Sequence, residues 1–332
     1  MAVYGNQARQ RSLNDAGSAG PLRYDPRPAL RDEVIGGLRR RPKKLPAKFL
    51  YDRRGSELFD RICGLREYYP TRTETGILAR CADQIAALCG PDCLLIELGS
   101  GSSTKTRLLL DRMREPAAYV PVDIARDQLH DAANALSAGY PGLEIIPVCA
   151  DYTDGIRLPS PSREGRKTVM FFPGSTIGNF EPYEALVFLR QFAAAGRSGD
   201  ALIIGVDLRK PRAILERAYN DGEGVTAEFN LNVLRRINRE FDAHFDLERF
   251  AHRAVYNERA GRIEMHLVSR IEQTVAAGGV ELSFRAGEWI TTEHSYKYTL
   301  DGFQILARAA GFKVRRIWTD HRRWFSVHYL EL

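Results

Sequence analysis

The sequence predicts an α/β fold built on a parallel β-sheet with helices against both of its faces. Three observations support this prediction. Short apolar runs and helical patterns alternate between residues 73 and 207, the apolar runs are continuous, and turn-forming residues separate the two kinds of segment. Continuously apolar strands are typical of a buried parallel sheet, because the helices that connect its strands cover it.

Five apolar runs are predicted to be strands of this sheet. They are LLIEL (94–98), AYVPVD (118–123), LEIIPVCA (143–150), KTVMFF (167–172) and ALIIGVDL (201–208). Periodicity predicts helices before and between them, at residues 29–40, 73–88, 104–114, 125–137 and 183–195. Residues 1–22 are polar and lack apolar periodicity, so we expect a mobile tail there.

The regular alternation ends after Asp207. Residues 209–245 have a helical pattern, and IEMHLVS (263–269) alternates like a half-buried antiparallel strand. The GG pair at 278–279 predicts a hairpin turn. A last helix at 300–310 precedes the runs FKVRRIWTD and WFSVHYLEL, which predict an antiparallel hairpin that closes the sheet edge.

Composition excludes several classes of protein. No apolar run approaches the roughly 20 residues of a membrane span, and the N-terminus lacks the apolar segment of a secretory signal. The five cysteines show neither a CxxC pair nor a histidine at zinc-ligand spacing, so we expect reduced thiols, a cytoplasmic protein and no metal site. The net charge of +6 is largely interspersed with acids, and the basic run RRRPKK (39–44) is interpreted as a solvated helix end. We therefore expect neither a membrane nor a nucleic acid as partner.

The turn after the first predicted strand, in LLIELGSGSSTKTRLLLD (94–111), indicates the kind of ligand. A phosphate-binding P-loop and the dinucleotide fingerprint GxGxxG both require glycine where this chain has Thr104. What remains is an acid followed by two glycines, Glu97, Gly99 and Gly101. This pattern is typical of Rossmann-like enzymes that use S-adenosylmethionine, whose phosphate-free cofactor presses against bare backbone.

Acids that follow successive strands extend this interpretation. Glu97 is placed to attract the ammonium and sulfonium charges of the cofactor. Asp123 ends the second strand and is predicted to bind the ribose hydroxyls, although it also fits as a helix cap. Asp151 and Tyr152 follow the third strand, as an acid for the adenine amine and a ring beside the base. An ordinary tight turn at the glycines and an ordinary turn acid at Asp151 remain alternatives.

Several longer stretches carry a resemblance to a known family. They are LPAKFLYDRRGSELFDRI, EYYPTRTE, IELGSGSSTKT, FFPGSTIGNF, GVTAEFNLNVL, RIEMHLVS and TTEHSYKY. Together, over about residues 27–332, the chain resembles the histidine Nα-methyltransferases of ergothioneine biosynthesis. EYYPTRTE and GSTIGNF are specific to that family and its close relatives.

The resemblance implies one substrate, L-histidine, which is trimethylated on its α-nitrogen to hercynine by three S-adenosylmethionine molecules. It also implies a substrate-binding α+β domain formed by residues 23–72 and 208–296, and a methyltransferase domain formed by residues 73–207 and 297–332. The end of the strand and helix alternation after Asp207 agrees with that division into domains. We expect a monomer.

The resemblance also implies a set of site residues. On the cofactor side these are Gly99, Lys105, Asp123, Asp151 and Tyr152, and this last residue is a phenylalanine in some relatives. On the substrate side they are Tyr51, Tyr68, Gly174, Asn179, Tyr219, Met265, Glu293 and Ser295, of which Tyr51 and Asn179 are the expected catalytic residues. Pro173, His294 and Tyr296 depart from the relatives and bear on the shape of the pocket.

Their chemistry suits the three polar groups of histidine. Glu293 and Ser295 lie two apart on a strand and therefore project to one face, where they can serve the two imidazole nitrogens. Tyr68 and Tyr219 supply hydroxyl donors for the carboxylate. Tyr51 is predicted on the side of the amine.

Simpler roles remain open for several of these residues. Asn179 is expected near the sulfonium methyl group, but it also fits as a helix cap. Tyr68 and Met265 also fit as core residues, and Glu293 as a surface acid.

The sequence gives less support to three other functions. A related N-methyltransferase acting on another amino acid is the nearest alternative, but Glu293 argues against a bulky apolar ring. An RNA methyltransferase lacks support because no RNA-binding module is visible. A non-catalytic binder is disfavoured because the matched polar positions are intact.

Overall fold

The computed structural model describes residues 27–101, 103–154 and 159–332, so the tail predicted for residues 1–22 lies outside them. The helices in this part of the chain are α1 (Arg27–Arg39), α2 (Arg53–Gly64), α3 (Tyr69–Cys89), α4 (Thr104–Leu110), α5 (Arg126–Gly139), α6 (Pro182–Ala195), α7 (Arg212–Tyr219), α8 (Val225–Phe241) and α9 (Leu300–Ala309).

The strands are β1 (Lys43–Lys44), β2 (Cys93–Leu98), β3 (Ala118–Asp123), β4 (Val148–Cys149), β5 (Lys167–Phe172), β6 (Ala201–Asp207), β7 (Phe250–Asn257), β8 (Arg262–Ser269), β9 (Gln273–Ala277), β10 (Val280–Phe284), β11 (Trp289–Tyr296), β12 (Lys313–Thr319) and β13 (Phe325–Glu331).

A seven-stranded sheet with the order β12-β13-β6-β5-β2-β3-β4 forms the larger layer of the described residues. Strands β2 to β6 pair in parallel, β13 pairs antiparallel with β6, and β12 pairs antiparallel with β13. Leu95 belongs to the apolar cluster on one face, and Ile96 and Leu98 to the cluster on the other. The predicted Rossmann-like sheet, buried on both faces and closed by a C-terminal hairpin, is confirmed.

The predicted strand at residues 143–150 is mostly wrong. Only β4 pairs as a strand there, and an isolated bridge joins Tyr119 to Ile145. Pro147 lies between the two pairings. Because proline has no backbone N–H to donate to a ladder, it interrupts an edge strand at this point.

Two helix predictions need correction. Helix α3 begins at Tyr69 rather than 73, because Pro70 occupies the first helical turn, where proline is favoured. The predicted domain boundary between residues 72 and 73 therefore falls inside a helix. The helical pattern at 209–245 forms two helices, since the Asp221 carboxylate accepts the backbone N–H groups of Val225 and Thr226 at 2.8 Å and starts α8 anew.

A smaller sheet with the order β1-β11-β8-β7 packs beside a two-stranded hairpin of β9 and β10. The antiparallel strand predicted at 263–269 and the hairpin at Gly278-Gly279 are both confirmed. An apolar cluster under this sheet combines residues between 34 and 69 with residues between 215 and 290. The division of the chain into two domains stays a prediction.

The topology indicates where a ligand site belongs. The strand order of the large sheet reverses between β2 and β5, and in open α/β sheets ligands bind at the carboxyl ends of the strands at such a point. No described helix combines the length and hydrophobicity that crossing a bilayer requires.

Candidate active site

A cavity of about 1200 Å³ opens at the carboxyl edge of the large sheet and extends to strand β11 of the smaller one. Most of the residues predicted for the site line it: Tyr51, Tyr68, Glu97, Gly99, Gly101, Lys105, Asp123, Asp151, Tyr152, Gly174, Asn179, Tyr219, Glu293 and Ser295. The two sets of predicted residues, from segments far apart in the chain, therefore share one cavity.

Met265 is the predicted site residue that does not line this cavity. It is only 2% exposed and packs in the apolar cluster with Ile263 and Leu267, which share its strand face. Its cross-strand partner is Glu293, so it lies beside the site without reaching the cavity wall. The structure supports the core role that the sequence left open for this methionine.

The glycine turn after β2 presents bare backbone to the cavity. Gly99 and Gly101 have φ angles of +67° and +49°, a region that favours glycine. A Cβ atom added to either residue would meet no atom within 4 Å and would project into open space. The Gly99 N–H donates to the Val122 carbonyl oxygen at 2.8 Å, which holds the turn against the end of β3.

Asp123, at the end of β3, holds this turn in place by hydrogen bonds. Its Oδ2 accepts the Gly101 N–H at 3.0 Å, and its Oδ1 accepts the Ala125 N–H at 2.9 Å. The carboxylate thus organises both the glycine turn and the start of α5. The ribose contact predicted for it remains a prediction.

Glu97 is buried at the end of β2. The Tyr119 and Thr106 hydroxyls both donate to its Oε2. Burial raises the pKa of Glu97 to about 7, although these hydrogen bonds and the charge of Lys105 act in the opposite direction.

Asp151 and Tyr152 form the wall next to this turn. Asp151 accepts hydrogen bonds from the Thr153 backbone and hydroxyl, at 3.0 and 2.6 Å, and from Lys48 Nζ at 3.3 Å. Burial alone would raise the pKa of Asp151, but these donors outweigh it and lower the pKa. The Tyr152 ring packs on Phe172 and Phe188, with centroids 5.7 and 6.0 Å away, so its position is set by the core.

Lys105 has a partner that the sequence did not suggest. Its ammonium group pairs with the carboxylate of Glu74 at 2.5 Å, and Glu74 is fully buried. The two oxygens of Glu74 also accept the Gly174 N–H at 3.0 and 2.9 Å. Glu74 does not itself line the cavity but holds two residues that do. An acid on the apolar face of α3, among Tyr69, Pro70, Ile77 and Leu78, was the signal in the sequence that it has an internal partner.

Asn179 ends a 3₁₀ turn, Thr176–Asn179, that follows β5. The preceding Gly178 lets this turn approach β11, because a Cβ there would lie 2.8 Å from the Tyr296 carbonyl oxygen. Asn179 does not cap α6, since Glu181 occupies the cap position and its N–H donates to Glu184 at 2.9 Å. The helix-cap alternative for Asn179 is therefore wrong.

Glu293 and Ser295 project from β11 to the same face of the sheet. Thr292 is the extra residue of a β-bulge, and its hydroxyl donates to Asn230 Oδ1 at 2.6 Å. Because a bulge re-aims the side chains that follow it, Thr292 sets the direction of Glu293. Ser295 Oγ accepts the Tyr219 hydroxyl at 2.9 Å.

The Glu293 carboxyl group is buried, with the residue 8% exposed, yet it lines the cavity. No side chain of the described residues donates a hydrogen bond to it. Burial raises the pKa of Glu293 to about 7, and the charge of Lys297 opposes that rise. A surface role for this acid, the main alternative, is wrong.

Three tyrosines form an aromatic wall beside Glu293. The Tyr68 ring lies 6.0 Å from that of Tyr219, and the Tyr51 ring lies 5.5 Å from those of Phe59 and Phe229. Burial raises the pKa of Tyr51 well above its ordinary value, and Glu293 and Tyr152 are among the nearby groups that add to it. Tyr51 therefore lines the cavity with its hydroxyl protonated.

The opposite face of β11 joins the smaller sheet to α6. His294 Nδ1 lies 2.6 Å from Glu181 Oε1, and the Tyr296 hydroxyl donates to Glu181 Oε2 at 2.5 Å. Arg262 and Lys44 also pair with Glu181, both at 3.0 Å. Burial alone would raise the pKa of Glu181, but these contacts lower it to about 2.

One residue of the basic run at 39–44 is buried. Lys43 pairs with Glu288 at 2.6 Å, whereas the side chain of Lys44 stays partly exposed beside Glu181. The interpretation of the run as a solvated helix end holds for the exposed residues 39–41 but is wrong for Lys43, which is buried in strand β1. Within the described ranges, no group of three or more His, Cys, Asp or Glu side chains is arranged to hold a metal ion.

Comparison with known proteins agrees with this geometry. A family model described as "Histidine-specific methyltransferase, SAM-dependent" matches residues 30–332. The chain is 45% identical over 298 residues to a histidine N-alpha-methyltransferase of Mycolicibacterium smegmatis, which covers 88% of this chain and 91% of that protein. The corresponding enzyme of Mycobacterium tuberculosis is 45% identical over 304 residues, 90% of this chain and 94% of that one. Ergothioneine biosynthesis protein 1 of Neurospora crassa is 32% identical over 296 residues, 87% of this chain and 33% of that protein. The chain belongs to the S-adenosylmethionine-dependent, histidine-specific methyltransferase family.

Proposed function

We propose that the protein transfers three methyl groups in succession from S-adenosylmethionine to the α-amino nitrogen of L-histidine and so produces hercynine. Membership of the family supports the reaction class and the substrate. The likeness to a protein named for ergothioneine biosynthesis supports the pathway.

One observation carries the choice of substrate: the buried carboxyl group of Glu293 faces the cavity and accepts no hydrogen bond from the part of the chain that the structure describes. An unpaired buried acceptor is costly, so the site is best satisfied by a ligand that brings an N–H group to it. Imidazole supplies that N–H and a second nitrogen for Ser295, two positions along the same strand. Apolar side chains would leave Glu293 unpaired, and rejection of this kind is among the strongest that binding sites achieve.

The residues at the other end fit the cofactor of the family. The open space over Gly99 and Gly101 accommodates a ligand against bare backbone, and Glu97 supplies a carboxyl group for its cationic end. Asp123, Asp151 and Tyr152 would hold the ribose and adenine, as the sequence predicts. When bound, S-adenosylmethionine supplies a methyl group on a positively charged sulfur.

The protein itself must present histidine as a neutral amine in a fixed orientation. The aromatic wall removes water from the amine, and desolvation lowers the pKa of an ammonium group. Tyr68 and Tyr219 orient the carboxylate, and Asn179 orients the amine or the carboxylate. Positioning of this kind is worth several kcal/mol of a reaction barrier.

Tyr51 is assigned to the amine. Its protonated hydroxyl can hydrogen-bond the nitrogen, and its ring can attract the cation that grows as methyl groups are added. Because the phenol keeps its proton, Tyr51 acts here by orientation and not as a strong base.

The test is incubation of the purified protein with histidine and methyl-labelled S-adenosylmethionine, followed by product mass. We expect a product with three added methyl groups on the α-nitrogen. Tryptophan, offered in parallel, is the control for the nearest rival, another amino acid as substrate. Methylation of tryptophan with no reaction on histidine contradicts the proposed substrate.

A further inference from the structure

A buried amide group in helix α8 connects two parts of the cavity wall. Asn230 is fully buried and does not itself line the cavity. Its Oδ1 accepts the Thr292 hydroxyl at 2.6 Å, and its Nδ2 donates to His252 Nδ1 at 2.9 Å and to the His266 carbonyl oxygen at 3.1 Å. The amide has two N–H donors, so both have a partner within the fold.

The carbonyl group of His266 fixes the direction of this amide. A carbonyl oxygen only accepts hydrogen bonds, so Nδ2 of Asn230 must face it and Oδ1 must face Thr292. The Thr292 hydroxyl also lies 3.2 Å from the Met265 carbonyl oxygen, but its single proton belongs to the shorter bond with Asn230. The amide therefore accepts from β11 and donates to β7 and β8.

The same direction determines the tautomer of His252. Because Asn230 Nδ2 donates to His252 Nδ1, that nitrogen carries a lone pair and the proton of the neutral ring is on Nε2. Nε2 lies 2.8 Å from the backbone carbonyl oxygen of Tyr219 and donates to it. Burial lowers the pKa of His252 and keeps the ring neutral, although the Tyr219 carbonyl group and the charge of Asp221 oppose that shift.

A chain of directed hydrogen bonds thus joins two segments that line the cavity. At one end is Thr292, the extra residue of the bulge that aims Glu293. At the other end is Tyr219, the last residue of α7, with one of the carbonyl groups that a helix leaves free at its C-terminus. Thr292, Glu293 and Tyr219 all line the cavity, so the buried amide holds its wall from behind at two places.

We propose that Asn230 is a positioning residue for substrate binding. Through Thr292 it aims Glu293, and through His252 it holds the segment of Tyr219. This inference rests on the proposed function, in which Glu293 contacts the imidazole of histidine and Tyr219 contacts its carboxylate. One buried side chain thus sets the distance between the groups that hold two different parts of the substrate.

The state of His252 in the unaltered protein is the first test. The protein is labelled with ¹⁵N in its histidine rings, and the signals of His252 are identified by their absence in His252→Gln. At about pH 7.5, above the ordinary pKa of histidine, we expect an unprotonated Nδ1 and a protonated Nε2. A proton on Nδ1 would overturn the proposal, because Asn230 could not then donate to the ring.

Substitution separates positioning from a general loss of stability. Asn230→Leu keeps the branched shape of the side chain and removes its hydrogen bonds. We expect the affinity for histidine, measured by calorimetry with S-adenosylhomocysteine bound, to fall about tenfold. The affinity for S-adenosylhomocysteine alone should stay within about twofold, because the cofactor end of the cavity lies outside this chain of hydrogen bonds.

A second asparagine of α8 provides the matched control. Asn238 also bonds to backbone, donating to the Phe245 carbonyl oxygen and accepting the Phe245 N–H, both at 2.8 Å, and it does not line the cavity. Asn238→Leu should therefore lower the stability of the fold and leave the affinity for histidine unchanged. An equal loss of histidine affinity in both variants contradicts the role of Asn230.

A double-mutant cycle tests whether Thr292 acts through Asn230. Thr292→Val keeps the shape of the side chain without the hydroxyl, and it should lower the affinity for histidine about three- to tenfold. Combined with Asn230→Leu, it should cause no further loss, because the two residues form one chain. Additive losses contradict the proposal, and so does an unchanged affinity in Thr292→Val, which decides together with the ring of His252 if Asn230→Leu does not fold.

Failure of the proposed function gives a different result. If the unaltered protein binds no histidine, the proposed substrate is contradicted, whereas the ¹⁵N signals of His252 still report whether the chain of hydrogen bonds exists. If the unaltered protein binds histidine and the Asn230→Leu variant, when folded, binds it equally well, only the positioning role is contradicted.

Discussion

The two ends of the cavity each hold a buried carboxyl group with a pKa of about 7, and they differ in what surrounds it. Glu97, at the glycine turn, accepts hydrogen bonds from Tyr119 and Thr106. Glu293, on β11, accepts none from the described residues. The described residues supply hydrogen-bond donors to the carboxyl group of Glu97, whereas the carboxyl group of Glu293 is left to accept its hydrogen bond from a ligand.

This difference separates a general task from a specific one. In the proposed function, the acid at the glycine turn serves the cofactor, and its position is set within the large sheet. The acid on β11 serves the substrate, and we propose that its unmet hydrogen bond is the source of selectivity.

Glu293→Ala should lower kcat/KM for histidine by about 100-fold or more, because the imidazole N–H loses its charged acceptor. Methyl transfer from labelled cofactor measures the change. The affinity for S-adenosylhomocysteine, measured by calorimetry, is the control and should stay unchanged. Full activity of this variant would contradict the contact between Glu293 and the ring.

Glu293→Gln should stabilise the fold in alkaline buffer. The folded state raises the pKa of Glu293 from 4.5 to about 7, so the wild-type protein loses stability as pH rises between those values and loses no more above them. At about pH 8 the glutamine variant should exceed the wild type in free energy of unfolding by up to about 3 kcal/mol. Urea denaturation at about pH 8 and about pH 4.5 checks this, and a gain of equal size at both pH values would refute the cause.

Glu97→Gln should weaken the binding of S-adenosylmethionine about tenfold. The amide oxygen can still accept from Tyr119 and Thr106, so the variant removes charge while it keeps those two hydrogen bonds. Calorimetric titration measures the affinity. The KM for histidine at saturating cofactor should not change, and a change there would mean that the two ends of the cavity are not separable.

Tyr51→Phe should have the smallest effect, a change of about three- to tenfold in the rates of methyl addition. The ring and its packing remain, and only the hydroxyl near the amine is lost. Mass spectrometry of the mono-, di- and trimethylated products over time measures each step. Three unchanged rates would remove Tyr51 from the amine side of the site.

Local patterns predicted most of the fold. The runs that became β2, β3, β5 and β6 are continuously apolar, and burial on both faces of a sheet requires that composition. The glycine turn also predicted the class of cofactor, because the acid and the two glycines that indicate it lie within one short segment. The prediction of an edge strand at 143–150 was wrong because Pro147, which has no backbone N–H, interrupts the pairing of an otherwise apolar run.

The contacts between segments far apart in the chain could not be predicted from the sequence. Glu74 meets Gly174, 100 residues away, and Asp207 meets Lys297 across the two sheets. No spacing in the sequence joins these residues, since tertiary packing alone brings them together. Glu293, Ser295 and Lys297 occupy every second position along β11 and the residue that follows it. This alternation was the only sign in the sequence that Lys297 lies on the same side as the two site residues.

The bulge at Thr292 gives β11 one residue more than its ladder with β8 requires. Thr291 pairs with His266 and Glu293 pairs with Met265, so the two strands continue to pair on both sides of the extra residue. Loss of Thr292 would therefore leave a regular strand with Glu293 still opposite Met265, and it would remove the hydroxyl that donates to Asn230 Oδ1. Evolution can thus adjust the direction of the Glu293 carboxyl group through the length of this strand, without replacing Glu293 or Ser295.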